Sequence, residues 1–402
     1  MKIKLKEVTG KTGIVVDGDW VESKDQDING DVRLIQLADI GEGKFLDRSA
    51  RFLTKETAKN LNCTYLRKGD ILIARMPDPI GRACIFPNII QPCVTVVDVC
   101  VVRVDPDFVD NRWLMWILNS PHFRFQLTPF LSGTTRQRIS RKNLESLEIP
   151  LPPIASQRRI ADILDKADEI IRKRKEAIAL TEQLQKSIFL DMFGDPVTNP
   201  KGWEKVTLGN LLAEELQNGA YFEKDYYTND LTGVEMIHMS DAFYGTVTRG
   251  NLKRVLVSDA EVKKYQLNSD DILIARRSLN YEGAAKPCLI EDCCNPLIFE
   301  SSLIRVRVKK NIINPIYLFS YMMQPRAREK YIYPYVTRST ISGINQAGLK
   351  KITIVVPPIA LQNRFKEICN QIKKNSLKLE LHLQESENLF NSLLQKAFKG
   401  EL

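Results

Sequence analysis

The strongest constraint on this chain is that its pattern occurs twice. Val32–Asp39 (VRLIQLAD) resembles Val234–Asp241 (VEMIHMSD), and Asp70–Arg75 (DILIAR) recurs as Asp271–Arg276. Val99–Val104 corresponds to Leu303–Val308, and Pro152–Gln157 (PPIASQ) recurs as Pro357–Gln362 (PPIALQ). The offsets are 202, 201, 204 and 205 residues, and after residue 144 the offset holds at 205 for about fifty residues. Loop insertions in one part of a duplicated unit, and none in another, leave that pattern. The 402 residues are therefore two copies of a unit of about 200. Whatever one copy folds into, the other must also fold into.

Each copy has two parts. The first mixes short apolar runs with turns: Ile71–Ala74 and Ile272–Ala275 read as buried strands, and Trp113–Leu118 and Tyr317–Met322 as short helices near Pro121 and Pro325. The second is one long helix. From Ser156 to Phe193 there is no Pro or Gly. Apolar residues fall at Ile160, Leu164, Ala167, Ile171, Ile178, Leu184 and Ile188, with Phe365, Cys369, Ile372, Leu383, Leu389 and Leu393 in the second copy. Pro152-Pro153 and Pro357-Pro358 set the starts. About 38 residues at ~1.5 Å each make a rod of roughly 57 Å, longer than a domain of about 150 residues is wide. The economical cover for its apolar stripe is the other copy's helix, antiparallel, as a coiled coil. Two surface helices, each lying on its own domain, are the alternative. The expected fold is α+β: two pseudo-symmetric globular domains separated by two long antiparallel coiled-coil helices. Such an arrangement suits a pseudo-symmetric partner, and two grooves of B-DNA one turn (~34 Å) apart are one.

A net charge of +9 makes nucleic acid a reasonable partner, though evenly spread it is only a solvated surface. Cys63, Cys84, Cys93, Cys100, Cys288, Cys293, Cys294 and Cys369 form no C-x2-C pair, so they read as reduced, buried thiols of a cytosolic protein. The opening MKIKLKEVTG has no apolar signal core, and no run of ~18 apolar residues predicts a membrane span. Catalytic motifs are scarce. Gly10-Lys11-Thr12 lacks the earlier glycine of a phosphate loop, since that position is Leu5. Asn314-Pro-Ile-Tyr317 is near the Asn-Pro-Pro-Tyr of amino-methyltransferases, but its repeat counterpart, Asp110-Asn-Arg-Trp113, makes it a helix start with an anchoring aromatic. His122, His238 and His382 lie far apart, and no metal site is expected.

Several segments do carry a specific resemblance. Leu151–Ala161 (LPPIASQRRIA), Leu184–Pro196 (LQKSIFLDMFGDP), Asn199-Pro-Lys-Gly-Trp203 and Leu394–Leu402 (LQKAFKGEL) resemble the conserved regions of type I restriction–modification specificity subunits. The resemblance spans the whole chain, although residues 1–30 contain no Asn-Pro-x-Gly-Trp. It implies target recognition domains at 1–152 and 198–357, and spacer helices at 153–197 and 358–402. It also implies a non-catalytic, cytoplasmic subunit that binds double-stranded DNA. Its implied partners are DNA adenine methyltransferase subunits, two of them by expectation, and restriction/translocase subunits. It implies no cofactor of its own; adenosylmethionine, ATP and Mg would serve the partners. A scaffold without a DNA role and a fused enzyme are the competing readings.

DNA contacts need cations for phosphates and planar donors for base edges. Gly133–Lys142 offers Thr134, Thr135, Arg136 and Arg138, and its counterpart Val336–Ser342 offers Arg338, Ser339 and Thr340, following Tyr331, Tyr333 and Tyr335. Arg75 and Arg276-Arg277 end the repeated strand and lead into loops that differ completely, Met76–Arg82 and Ser278–Lys286. Arg82 and Lys286 close those loops and join the candidate set. The basic run Arg172–Lys175 reads as a solvated or partner-binding helix face. Two similar but unequal domains predict an asymmetric, split target.

Overall fold

The computed structural model describes residues 2–242, 245, 247, 249–291 and 296–402; the adjacent Cys293 and Cys294 lie outside them. Contacts divide the chain into two units: Met1–Glu176 with Glu380–Leu402, and Ala177–Leu379.

The two units share one topology. In the first, a sheet runs Ile14–Asp17, Val99–Arg103, Ile71–Ala74, Ala83–Ile85; in the second, Gln217–Asn218, Leu303–Val306, Ile272–Ala275, Pro287–Leu289. The repeated Ile-Leu-Ile-Ala strand occupies the same place in both. It reads as an unbroken apolar run because both its faces are covered. Ile71 and Ile73 pack with Trp113 in one core, while Leu72 and Ala74 face a second. A further sheet places Val32–Ile35 parallel to Cys93–Thr95, and its counterpart places Val234–Ile237 parallel to Leu297–Phe299. Lys2–Lys4 pairs with Glu148–Pro150, and Glu204–Thr207 pairs with Thr353–Val356.

The repeated polar residues tie backbone. Asp70 accepts the N–H of Arg67 and pairs with Arg103; Asp271 accepts from Asn268 and pairs with Arg307. The glutamine of Pro-Pro-Ile-Ala-x-Gln is buried in both copies. Gln157 accepts the N–H of Asp110 (2.9 Å) and donates to the carbonyls of Phe108 and Pro152. Gln362 does the same with Asn314 (2.8 Å), Ile312 and Pro357. Each therefore fastens the start of a long helix to the start of a short one. Asp110 and Asn314 are the N-caps of those short helices. The hydroxyl of Tyr317 donates to the carbonyl of Val355, so the Asn-Pro-Ile-Tyr segment is indeed a capped, anchored helix start.

The long helices are α1 (Ile154–Phe193) and α2 (Ile359–Lys399). They pair within each unit. In the first unit Ile160 and Leu164 share a core with Leu394 and Ala397, and Arg174 donates to the carbonyl of His382. In the second, Phe189 and Phe193 pack edge-on against Phe365 (5.7 and 5.3 Å between ring centroids), and Gln185 meets Cys369. Partners climb on one helix as they fall on the other, so the pairing is antiparallel. Ile160, Leu164, Ile171 and Phe365 are buried, and Ile178, Ile188, Ile372, Leu383 and Leu393 are half-buried. Leu184 and Leu389 are not seam residues. They stand 50% and 59% exposed, while Gln185 and Phe390 turn toward the contact face instead.

Candidate nucleic-acid interface

The repeated strand ends at an arginine whose carbonyl receives a second loop. Arg75 accepts the N–H of Ile139 (3.1 Å), and Arg276 accepts that of Ile344 (3.0 Å). Each copy thereby brings the two segments singled out in the sequence to one place.

In copy one, Leu131–Ser132 pairs with Arg138–Ile139 and closes a tip over 133–137. Gly133 sits at φ 96°, and a Cβ there would come within 2.6 Å of the Arg136 carbonyl, so only glycine fits the turn. Thr134, Thr135 and Arg136 are exposed on the tip. Arg138 is half-buried beside Asp98 (3.2 Å). In copy two, Arg277–Ser278 pairs with Ser342–Gly343, and Thr337 bridges to Gly343. Arg277, Arg338, Ser339 and Thr340 are exposed. The Arg338 guanidinium lies 4.4 Å over the Tyr281 ring, which preorganises it. Arg276 and Lys286 are half-buried.

Two candidates are structural. Arg75 is 3% exposed, pairs with Asp17 (3.2 Å) and donates to the carbonyl of Val97; burial pushes its pKa down against the pull of Asp17. Arg82 is 7% exposed, and its guanidinium donates to the carbonyls of Ile40, Met76, Pro79 and Leu37 at 2.7–3.1 Å. Neither presents a donor to a ligand, because each satisfies backbone that the loop leaves without a strand partner. The helix run is also engaged. Arg172 pairs with Asp168, Lys173 with Glu169 and Lys175 with Glu387, while Arg174 bonds the carbonyl of His382.

The structure adds residues that the sequence reading missed. Trp20 is 67% exposed and Tyr221 80% exposed, and they occupy matching places. The residue before each bridges to a matching strand end, Asp19 to Val96 and Ala220 to Glu300. The signal was available in Asp17-Gly-Asp-Trp-Val-Glu22 against Asn218-Gly-Ala-Tyr-Phe-Glu223. In copy one an open groove of about 930 Å³ is bounded by Trp20, Arg51, Gln36, Met76, Arg136 and Arg138. In copy two Arg276, Arg277, Tyr335, Thr337 and Asn345 surround a smaller one of about 270 Å³. Cations, hydroxyls and an exposed ring can hold phosphates, bond base edges and stack. The thiols among the described residues offer no comparable chemistry. Burial pushes Cys63, Cys84, Cys100, Cys288 and Cys369 up to about 12 and Cys93 to about 11, which keeps them protonated.

A duplicated α+β unit with paired loops and long helices is the architecture of a known class. Residues 1–180 and 200–386 match the family model described as type I restriction modification DNA specificity domain, and the chain belongs to that family. It is 21% identical over 419 residues to the type I restriction enzyme MjaIX specificity subunit of Methanocaldococcus jannaschii, covering 99% of this chain and 92% of that one. It is 23% identical over 320 residues to the EcoKI specificity subunit of Escherichia coli K12, covering 75% and 68%. Two solved structures share the fold. One comes from a study of complex assembly and conformational transition of the type I R-M system (TM-score 0.61, 19% identity, 100% and 98% covered). The other is the type I restriction–modification S subunit of M. genitalium (TM-score 0.56, 14% identity, 99% and 96% covered).

Proposed function

We propose that this chain is the sequence-reading subunit of a type I restriction–modification complex, with one recognition domain per half of a split, asymmetric DNA target. Residues 1–152 and 198–357 form the two readers, and 153–197 and 358–402 the spacer helices. The observation that carries the reading is the loop pair built twice on one scaffold. The strand, its terminal arginine and the receiving backbone bond are shared, while the exposed side chains differ: Thr134, Thr135 and Arg136 against Arg277, Arg338, Ser339 and Thr340. A common support with divergent tips suits two different half-sites. The subunit performs no catalysis and holds no cofactor or metal. Two DNA adenine methyltransferase subunits would supply adenosylmethionine chemistry, and restriction/translocase subunits would use ATP and Mg. Its place is the cytoplasm; among the described residues no helix is long and apolar enough to cross a membrane.

The test is single-molecule methylation sequencing of DNA from cells that express the chain with its methyltransferase. A new split motif with two unlike halves, and methyladenine on both strands, is the expected result. No new motif from a soluble, co-purifying pair would replace this reading with that of a scaffold.

A further inference from the structure

Each copy holds one aromatic ring out in water on backbone that is tied down on both sides. The N–H of Gly18 donates to the Val99 carbonyl (2.8 Å), and that of Gly219 to the Leu303 carbonyl (3.2 Å). A Cβ on either glycine would lie 2.2 Å from a backbone carbonyl oxygen, so the chain passes too close there for any side chain. The next residue bonds a strand end: Asp19 donates its N–H to the Thr95 carbonyl and Ala220 to that of Phe299 (2.7 and 2.9 Å). Then come Trp20 and Tyr221, both exposed. The turn that follows those strand ends also seats the repeated arginine. The N–H of Arg75 donates to the Asp98 carbonyl, and that of Arg276 to the Ser302 carbonyl (2.9 Å each). The same arginines receive Ile139 and Ile344, behind the tips that carry Arg136 and Arg338. A short series of main-chain bonds therefore fixes each ring relative to the loop tip of its own copy.

Local chemistry limits what such a ring can take. The Trp20 indole N–H donates to Glu22 (3.3 Å), whose other oxygen pairs with Lys24 (2.8 Å). The donor is occupied, so the indole offers a ligand its face. Trp20 borders the groove of about 930 Å³ that Arg51, Arg136 and Arg138 also border. The carboxylates of that groove are engaged: Asp98 pairs with Arg138 (3.2 Å), and Asp19 accepts the N–H of Thr64 (3.0 Å). Arg51 and Arg136 are exposed, so the charge open to a ligand is positive. A π-face among guanidiniums suits a polyanion that contains flat rings and disfavours a cation. In copy two Tyr221 is followed by Phe222 and Tyr226, whose rings lie 5.9 Å apart, and Tyr226 is exposed as well.

Within a duplex each base face is covered by its neighbours, so a protein ring stacks only where a step has opened. Given the DNA-reading role, on which this depends, we propose that Trp20 and Tyr221 each stack on a base at an opened step of their own half-site. The subunit then distorts the DNA that it reads. Opening is easiest at pyrimidine–purine steps, so the two rings add a preference for such steps at base pairs that no side-chain donor touches.

The probe is a duplex carrying the split motif recovered by methylation sequencing, bound by the full-length chain with its methyltransferase. Trp20→Leu keeps an apolar side chain but removes the aromatic face, and it should weaken binding about ten-fold, as expected for one lost stack. Trp20→Phe should weaken it no more than about three-fold. Tyr221→Leu and Tyr221→Phe should repeat that contrast. Because both positions are exposed, the melting temperatures should not move. An abasic residue placed opposite each base in turn locates the opened step. At one position in each half it should tighten wild-type binding, since the opening is already made, and each leucine variant should lose that gain in one half alone. Of the four tryptophans only Trp20 is exposed, so the motif duplex should quench the emission of the chain without its methyltransferase, and Trp20→Leu should abolish the quenching. Specific binding that both leucine variants leave unchanged, an abasic gain that persists in them, or unquenched emission would overturn the proposal and leave DNA reading intact. A wild-type complex that does not prefer the motif over a scrambled duplex would remove DNA reading itself, and this stacking with it.

Discussion

The two copies carry the same strand, Ile71–Ala74 and Ile272–Ala275, to the same kind of ending, and then each braces a different loop with a different arginine. Arg82 works from inside the loop it holds, donating to four carbonyls between Leu37 and Pro79. In the second copy Arg328 reaches back from beyond the following helix to the carbonyls of Glu282, Ala284, Ala285 and Met322. Both guanidiniums are buried. An irregular loop shielded from water leaves several carbonyls without strand partners. One planar group with five donors can satisfy four of them at once, more than the three donors of a lysine allow. The need is shared, so the residue type recurs, but its position in the chain is free to move. Arg75 and Arg276 differ for a related reason. Arg75 has Asp17 to pair with, whereas the matching position is Asn218, and Arg276 stays half-buried with a long bond (3.4 Å) to the Ser301 carbonyl.

The largest effect should therefore come from removing either brace. Arg82→Ala and Arg328→Ala each leave four buried or half-buried carbonyls short of a donor, a loss of about 3 kcal/mol. Calorimetric scans should show a similar fall in melting temperature for both, with no rescue by lysine. An Arg82→Ala protein that kept its stability yet lost DNA binding would return this residue to the interface and break the parallel.

Next come the loop tips, where the copies should part. Arg136→Ala should weaken recognition of one half-site and Arg338→Ala the other, each by about 1–3 kcal/mol if the side chain reads a guanine. Binding to substrates altered in one half at a time measures this. Affinity should also fall steeply with salt, because cation–phosphate contacts release counterions. Unchanged affinity in both variants would remove this loop from the interface.

A smaller difference concerns acid. Asp39 and Asp241 hold matching turns, each accepting the N–H three residues back. Asp39 is more deeply set: burial works to raise its pKa, but the N–H groups of Gln36, Ser49 and Arg48 and the Ser49 hydroxyl outweigh it and hold it below the ordinary value of 3.8. A carboxyl depressed on folding stabilises the protein above its unfolded pKa, and that contribution is lost as pH falls through the lowered value. Protection of the amides over residues 36–49, corrected for the intrinsic exchange rate, should thus fall as pH drops below about 4, and Asp39→Asn should abolish that pH dependence. Protection that did not change between pH 5 and 3 would contradict the assignment.

The architecture was legible in the sequence because its determinants recur. The Ile-Leu-Ile-Ala strand, the Asp110 and Asn314 caps and the Gln157 and Gln362 brackets all fell in repeated motifs. The arginines were less legible, because a strand-end arginine looks alike whether it meets a phosphate or a buried carbonyl. Only burial separates Arg82 from Arg136. Trp20 and Tyr221 were overlooked for the opposite reason. An isolated aromatic reads as core, and only alignment of the two copies places both at one exposed position.

The helix seam shows the same limit at its finest scale and gives the smallest expected effect. The apolar stripe on α1 steps from Ile171 to Ile178 and then to Leu184, a step of six residues. Six residues turn a helix by about 600°, roughly 120° short of realignment, whereas seven leave it about 20° off. The heptad continuation is Gln185, a polar residue against Cys369, and leucine drew the sequence reading off the face. On α2 the same happens at Leu389, one residue short of Phe390, whose ring packs edge-on to Trp116 (5.4 Å). Leu184→Ala and Leu389→Ala should each change unfolding free energy by no more than about 0.5 kcal/mol, as at other exposed positions. Phe189→Ala, buried against Phe365, should cost several times more. Chemical denaturation of the three variants decides it. A large loss from Leu184→Ala would put the seam back where the hydrophobic pattern alone had drawn it.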